Sequence, residues 1–404
     1  MIRRIFSVTA ALMLVVPACA QKPEKVVKSH IGQARAYIKS GKDYDKAERL
    51  MTDLLKDSAN RANIKIVATW FDAVKGQYEA ANEKLYLKQK YDTAAFYQLT
   101  RHMEDVAFRL DSLDVRPDSK GRVRPEYRKA NAELLHALRP NIYYGGTWHV
   151  RKADYATAFN FFDDYLQAPL QPLYADYHYE QTDTMLQTAA YWATYCAYKM
   201  KDADRILKYC KRTQSAPATE AFGIQCEAYA HHVRSASAPY ADALRRGYEA
   251  YPLHPYFFPR LADLYVEQGR NDSVLVIANR GLEVNDSNML FLLAKSVALL
   301  NLERYDDCIE TSLYMLQLND TMPEPHFNIA TCYLNRALAL EQQNQPRKNR
   351  QQLRDLYKSA QPYMEDYRRL APNDKQRWAP ALYRIYLNLN MGKQFEEIDR
   401  LMRQ

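Results

Sequence analysis

The chain has 404 residues and a formal net charge of +8 at pH 7, and only 11 of its residues are Gly and 18 are Pro. Because Gly and Pro form most tight turns, so few of them predict long helices in place of many short strands. Acidic and basic residues are interleaved, which is typical of solvated helix surfaces, and we therefore expect no nucleic-acid partner.

The N-terminus has the residue order of a secretory signal. Arg3 and Arg4 precede an apolar stretch that is too short to span a bilayer, and small residues follow at 17–20. This order predicts that residues 1–20 are a signal peptide and that the chain is exported to a bacterial periplasm. The segment that ends at Cys19 is also similar to a lipobox. Lipidation of Cys19 would instead make the protein a membrane-anchored lipoprotein, and the sequence leaves both alternatives open.

The region 21–253 contains irregular helical motifs. Segments 41–47 and 152–158 each look like the start of the second helix of a helix pair. We interpret the basic, Pro- and Gly-containing loop 116–125 as a solvated connector, with binding to an anionic partner as the alternative. The aromatic cluster 174–179 follows two Pro residues, and we expect it to be the most exposed aromatic cluster of the chain.

A regular repeat begins at 254. Small residues recur every 34 positions at Ala262, Ser296 and Ala330, and Asp286 and Asp320 have the same offset. Two antiparallel helices that cross closely accept only small side chains at the crossing point, whereas residues three positions later share the same helix face. The spacing therefore predicts regular helix pairs over 254–404.

These residues carry a family resemblance. The segments 302–308 and 327–333 resemble the inter-helix turn and the first-helix core of tetratricopeptide (TPR) repeats, whose units are 34 residues long. The resemblance implies an all-α fold, a right-handed TPR-type α-solenoid of about eight to nine antiparallel helix pairs. Residues 21–253 would be divergent TPR-like repeats and residues 254–404 regular ones. As a whole, the chain is similar to exported TPR proteins of Bacteroidota.

One unit departs from the repeat. The small residues of the two helices are 12 positions apart from Ala262 to Val274 but 30 positions apart from Ala330 to Ala360. The difference of 18 residues predicts a helical-hairpin insertion near 340–357. Divided equally, it would lengthen each helix by about 9 residues, or roughly 14 Å.

Two further patterns have alternative interpretations. Asp followed by Ser or Thr, as at Asp57, Asp92 and Asp183, resembles an O-glycosylation sequence of exported Bacteroidota proteins and is equally typical of helix caps. The five cysteines after Cys19 include no CxxC motif, so we interpret them as small apolar packing residues, with one disulfide among the first three as the alternative. They are Cys196, Cys210, Cys226, Cys308 and Cys332.

No catalytic, phosphate-binding or metal-binding motif is recognisable, so we predict a non-catalytic protein-interaction scaffold without cofactor or metal. By resemblance to the family, its first helices would line a concave groove for a protein or peptide, in which Asn328 and Asn335 would bind the ligand backbone. The alternative is an outer-membrane lipoprotein that binds glycan or assists outer-membrane protein assembly. The predicted groove positions are Tyr256, Asp263, Glu267, Val297, Asn301, Phe327, Asn328, Thr331 and Asn335.

Overall fold

The computed structural model describes residues 23–343 and 346–403, and every regular element in these ranges is helical. The predicted signal peptide and Cys19 lie outside the described residues. The chain divides into two compact units: unit 1 ends at Arg212 and unit 2 begins at Thr213. The change to regular repeats that the sequence predicts at 254 falls inside unit 2.

Consecutive helices form pairs, with one single-turn helix (α7) and short 3₁₀ segments between the third and fourth pairs. The first nine helices are α1 (Pro23–Ser40), α2 (Tyr44–Leu54), α3 (Ile64–Tyr86), α4 (Thr93–Asp114), α5 (Arg128–Arg151), α6 (Tyr155–Gln167), α7 (Tyr179–Thr182), α8 (Met185–Lys199) and α9 (Ala203–Gln214).

The remaining helices continue the pairing, which gives nine pairs in the described part of the chain. They are α10 (Pro217–Val233), α11 (Ser237–Ala250), α12 (Phe257–Glu267), α13 (Asn271–Val284), α14 (Met289–Asn301), α15 (Tyr305–Leu318), α16 (Pro323–Gln342), α17 (Pro346–Leu370), α18 (Lys375–Leu389) and α19 (Gly392–Arg403). The protein is therefore an all-α, TPR-type assembly of helix pairs, and the predicted fold class is confirmed.

The predicted crossing residues of unit 2 are buried. Ser296 and Ala330 are fully inaccessible and Ala262 is 9% exposed. A second contact repeats with the same period: a Cβ atom on Gly281 would lie 2.7 Å from the ring of Phe291. The helices α13 and α14 can approach this closely only because that Cβ is missing.

The regular register begins earlier than the sequence analysis predicts. Gly247 and Phe257 lie 34 residues before Gly281 and Phe291, and a Cβ atom on Gly247 would likewise lie 2.3 Å from the Phe257 ring. The residue after the first helix also recurs in a left-handed conformation, with φ of 54° at Ser235 and 69° at Gly269. The α10–α11 pair thus belongs to the regular series. The equivalent position of the α14–α15 pair, Glu303, also has a positive φ of 58°, so this conformation recurs without requiring Gly.

Unit 1 depends on buried charged groups. The guanidinium of Arg139 is 3.8 Å from the ring centre of Tyr165 and 4.2 Å from that of Tyr179, and it forms an ion pair of 2.9 Å with Asp183. Tyr174 is 1% exposed and donates a hydrogen bond of 2.6 Å to the buried carboxyl of Glu104. The cluster 174–179, which we expect to be exposed, therefore contributes two tyrosines to the core, because each hydroxyl or ring finds a polar partner there.

The connector 116–125 is fixed at its C-terminal end. Asp114, at the end of α4, accepts hydrogen bonds of 2.7–3.0 Å from the backbone amides of Glu126, Tyr127 and Arg128. These amides belong to the first turn of α5 and the residues before it, where backbone donors lack helical partners. Within the loop, Arg122 pairs with Asp118 at 2.9 Å. The carboxylate of Asp114 thus determines where α5 begins.

The insertion lengthens both helices of its pair. The helix α16 has 20 residues and α17 has 25, whereas α14 has 13 and α15 has 14. The additional residues are divided 7 and 11, and the turn at 344–345 lies outside the described residues. Tyr357 is 1% exposed, and Glu341 accepts hydrogen bonds from Tyr357 (2.6 Å) and from Arg384 of α18. The base of the insertion is therefore part of the core.

The described cysteines are buried, and two of the Asp–Ser/Thr pairs lie at helix N-termini. All five cysteines from Cys196 onward are buried, as the packing interpretation predicts. Asp57 accepts a hydrogen bond from the amide of Ala59, and Asp92 from the amides of Ala94 and Ala95. These carboxylates therefore cap helix N-termini.

Candidate functional site

The candidate site is the surface formed by the first helices of three successive pairs in unit 2, α12, α14 and α16, which we call the first-helix face. The helices α12 and α14 are neighbours, since Phe258 and Phe291 meet edge to face with ring centres 4.6 Å apart. The helices α14 and α16 are linked by a hydrogen bond of 2.8 Å from Asn328 to Ser296. Helices packed in this way are about 10 Å apart, so three of them give a surface roughly 20 Å wide.

The α12 end of the face is acidic. Asp263 and Glu267 are both exposed and lie one helical turn apart on the same side of α12. Among the described residues, neither carboxylate has an ion-pair partner. The nearby Arg260 is engaged elsewhere, because its guanidinium stacks 3.9 Å from the ring centre of Tyr256 and donates a hydrogen bond to the Tyr256 carbonyl.

These two carboxylates border a cavity of about 500 Å³ between α12 and the α10–α11 turn. Tyr240 lies inside it. Burial raises the pKa of the Tyr240 hydroxyl; Arg260 lowers it, while the negative charges of Asp263 and Glu267 raise it further. An aromatic ring beside two unpaired carboxylates is an environment that stabilises a positive charge. The lining residues are His232, Ser235, Ser237, Tyr240, Arg260, Asp263, Leu264 and Glu267.

The middle of the face is apolar. Leu290 and Val297 on α14 are 45% and 37% exposed, and Leu293 and Leu300 on the same side are half-buried. Asn301 follows at the end of the helix, where its amide donates a hydrogen bond of 3.1 Å to Asn271. Exposed aliphatic side chains in a continuous row are typical of a surface that a partner covers.

At the α16 end of the face, the predicted groove side chains already make contacts within the protein. Phe327 is half-buried, with the ring of Tyr367 at 5.0 Å and the guanidinium of Arg377 at 5.2 Å. The hydroxyl of Thr331 donates to the Phe327 carbonyl at 2.7 Å, and the amide of Asn335 is hydrogen-bonded to Tyr305. These three side chains lie at the surface but already have partners within the fold.

Asn328 does not belong to the face, so its assignment to the groove is wrong. Its side chain is 4% exposed, and its amide donates a hydrogen bond of 2.8 Å to the hydroxyl of Ser296 inside the core. The physical reason is register. Asn328 is two positions before the crossing residue Ala330 and points toward α14, whereas Phe327 and Thr331 lie on the outer side of the helix.

The sequence analysis also missed Leu290 and the cavity beside α12. Leu290 lies 34 residues after Tyr256, so the repeat period alone would have identified it. The cavity has no comparable signal, because Tyr240 and Asp263 come from different helix pairs and only the packing of α11 against α12 brings them together.

Two kinds of feature are absent from the described ranges. These ranges contain no helix with the length and apolar character needed to cross a bilayer. They also contain no group of three or more His, Cys, Asp or Glu side chains arranged to hold a metal ion.

Comparisons with known proteins supply no residue roles. The chain matches no protein-family profile and no curated protein. It is similar to the crystal structure of the P58(IPK) TPR domain at 12% identity and a TM-score of 0.26, with 91% of this chain and 99% of that chain covered. It is also similar to a chain of the APC/C hetero-tetramer Cut9–Hcn1 at 12% identity and a TM-score of 0.25, with 94% and 86% covered.

Proposed function

We propose that unit 2 is a non-catalytic protein-binding scaffold whose first-helix face holds a segment of another protein. The observation that carries the proposal is the juxtaposition on adjacent helices of two unpaired carboxylates, Asp263 and Glu267, with the exposed apolar row of Leu290 and Val297. A ligand that matches this surface has a Lys or Arg side chain in the α12 cavity and aliphatic or aromatic side chains against α14.

The energetics favour such a division of roles. Each large apolar side chain that leaves water contributes about 1.5–3 kcal/mol, so contacts with α14 would supply most of the affinity. A charge pair at the edge of a face contributes less to affinity but determines register and orientation. A surface roughly 20 Å wide accommodates about six residues of extended peptide.

A displayed random-peptide library tests the proposal without knowledge of the natural ligand. Selection on the wild-type protein should enrich peptides that combine a basic residue with apolar residues. Synthetic versions of these peptides should lose at least about tenfold in affinity on D263N/E267Q, because the cation loses both acceptors, and similarly on L290S/V297S. Fluorescence anisotropy measures both effects.

The matched control is E79Q/E83Q on α3, which removes an exposed acidic pair of the same spacing from unit 1. Its affinity for the selected peptides should equal that of the wild type. Enriched peptides without basic residues, or equal weakening by the control pair, would show that the first-helix face is not the binding site.

We also propose that the protein acts in the bacterial envelope after export, which the basic–apolar–small order of residues 3–20 supports. Expression with its own N-terminus in a Gram-negative host, followed by intact mass measurement, tests this. A mature chain that starts at Gln21 is expected for a periplasmic scaffold. A lipidated Cys19 would favour the membrane-anchored alternatives of glycan binding or outer-membrane protein assembly, and an uncleaved chain would contradict export.

A further inference from the structure

Two cysteines of unit 2 lie against each other. Cys308 on α15 and Cys332 on α16 are both fully inaccessible to solvent and belong to the same buried cluster. Leu299 of α14 packs against both of them in one small apolar cluster. The sequence gives no sign of this pair, because its members belong to different repeats and occupy different positions in them.

The surroundings of Cys308 are polar on one side. The hydroxyl of Ser296 is 3.6 Å from the Cys308 sulfur and 2.8 Å from the hydroxyl of Ser312. Interactions with Cys332, Ser296 and Ser312 outweigh burial and lower the pKa of the Cys308 thiol. The interaction with Cys308, together with burial, raises the pKa of Cys332. The lower pKa of Cys308 suits the thiol that attacks an oxidant, and the higher pKa of Cys332 suits the thiol that then forms the disulfide.

A cavity lies close to the pair. A cavity of about 410 Å³ opens between α13, α14 and α15, and its walls include Leu275, Leu299 and Thr311. Leu275 and Leu299 also belong to the side chains that pack around Cys308. One layer of side chains therefore separates the thiols from a cavity that water-sized molecules enter.

We infer that Cys308 and Cys332 form a dithiol that hydrogen peroxide oxidises to a disulfide between α15 and α16. The thiolate of Cys308 attacks one peroxide oxygen, the O–O bond breaks, and hydroxide leaves and takes up the proton that the thiol had released. The sulfur of Cys332 then attacks the Cys308 sulfenic acid, the S–O bond breaks, and water leaves with the proton of Cys332. Two thiols and one peroxide give one disulfide and two waters, so the sulfurs lose two electrons and the peroxide gains them.

The bond would connect consecutive repeats beside the candidate site. Cys332 directly follows Thr331 of the first-helix face, and Cys308 anchors the preceding second helix. Oxidation would therefore fix α16 relative to α15 in the part of unit 2 where Asn328 and Ser296 already connect neighbouring helices. This inference does not depend on the proposed peptide ligand.

The test is peptide mapping of the full chain after exposure to hydrogen peroxide, with free thiols alkylated under denaturing, non-reducing conditions. We expect a cross-linked peptide that contains Cys308 and Cys332 and a loss of two hydrogen atoms in the intact mass. C332S should stop at a sulfenic or higher oxide on Cys308, whereas C308S should leave Cys332 reduced. Serine is nearly isosteric, and circular dichroism of the untreated variants verifies that both fold.

Cys196 supplies the matched control, since it is equally buried, but burial raises its pKa to about 12. C196S should form the cross-link at the wild-type rate, and Cys196 should stay reduced in the wild type. Retention of both thiols under conditions that oxidise free cysteine, or a cross-link between any other two cysteines, would overturn the inference.

Discussion

The two units stabilise helix pairs by different means. In unit 2, from α12 to α15, the buried polar side chains are hydroxyls, those of Ser296, Thr311 and Ser312. In unit 1 the buried polar groups include Glu104 and the Arg139–Asp183 pair, together with Asp111 and Asp114. Among the described residues, α12 to α15 of unit 2 thus bury no charged side chain. Unit 1 buries several and combines them with close helix approaches of its own, as at Gly145 and Gly146.

The difference explains why one unit shows its repeat in the sequence and the other does not. A small residue at a crossing is required by local geometry and therefore recurs at a fixed period. A buried charge needs one partner, which comes from any part of the fold: Arg139 and Asp183 are 44 residues apart, and Tyr174 and Glu104 are 70 apart. Such pairs therefore need not recur at a fixed spacing along the chain.

The largest effect is expected when the unit 1 ion pair is broken. Asp183→Ala leaves the guanidinium of Arg139, 5% exposed, without its carboxylate, and the free energy of unfolding should fall by about 3–5 kcal/mol. Glu397→Ala removes one partner of an exposed pair with Arg368 and should cost less than about 1 kcal/mol. Urea denaturation followed by circular dichroism compares the two. Equal losses would mean that unit 1 does not depend on buried charge.

The pH dependence of unit 1 should reflect Glu104. Burial raises the pKa of this carboxyl to about 7, against the opposing effects of Tyr174 and Arg139. The folded state then binds more protons than the unfolded state between about pH 4.5 and 7, so stability falls as pH rises through this window. Because glutamine does not titrate, Glu104→Gln should abolish this fall in stability. Relative to the wild type, the variant should gain up to about 3 kcal/mol in the free energy of unfolding between pH 4 and pH 8. Urea denaturation at both pH values measures it, and an unchanged pH profile would contradict a protonated Glu104.

Close packing in unit 2 should make a normally favourable substitution harmful. Ala in place of Gly stabilises a helix interior by up to about 1 kcal/mol. At Gly281, the added Cβ would lie 2.7 Å from the Phe291 ring, and Gly281→Ala should instead cost about 1–3 kcal/mol. Gly32 in α1 has no heavy atom within 4 Å of such a Cβ, so Gly32→Ala should be neutral or stabilising. Thermal denaturation distinguishes these signs; stabilisation at both positions would refute the packing argument.

The smallest effect is expected at Asn328. Asn328→Ala removes the hydrogen bond to Ser296, whose hydroxyl keeps Ser312 as a partner, so the cost should be about 1 kcal/mol. Affinity for peptides selected on the first-helix face should not change, because the side chain is buried. A loss of affinity without a loss of stability would return Asn328 to the binding site.

The sequence anticipated the candidate site only in part. Asp263, Glu267, Val297 and Asn301 are exposed because the repeat period places them away from the crossing residues. The prediction that Asn328 lies in the groove did not hold, because the repeat period identifies a helix position but not the neighbour to which a polar side chain is hydrogen-bonded. The α12 cavity and the Cys308–Cys332 contact could not be predicted, since each forms between residues of different helix pairs.

The sequence by itself determined the helical class, the 34-residue period and the 18 additional residues of the α16–α17 pair, because local sterics and helix propensity act over one or two turns. Only the tertiary structure decided how those 18 residues divide between α16 and α17, which tyrosines of 174–179 are buried, and which charges pair in unit 1. These outcomes depend on contacts between residues far apart in the chain. Burial of a polar group is tolerated only where a hydrogen-bond or charge partner offsets the cost of its desolvation.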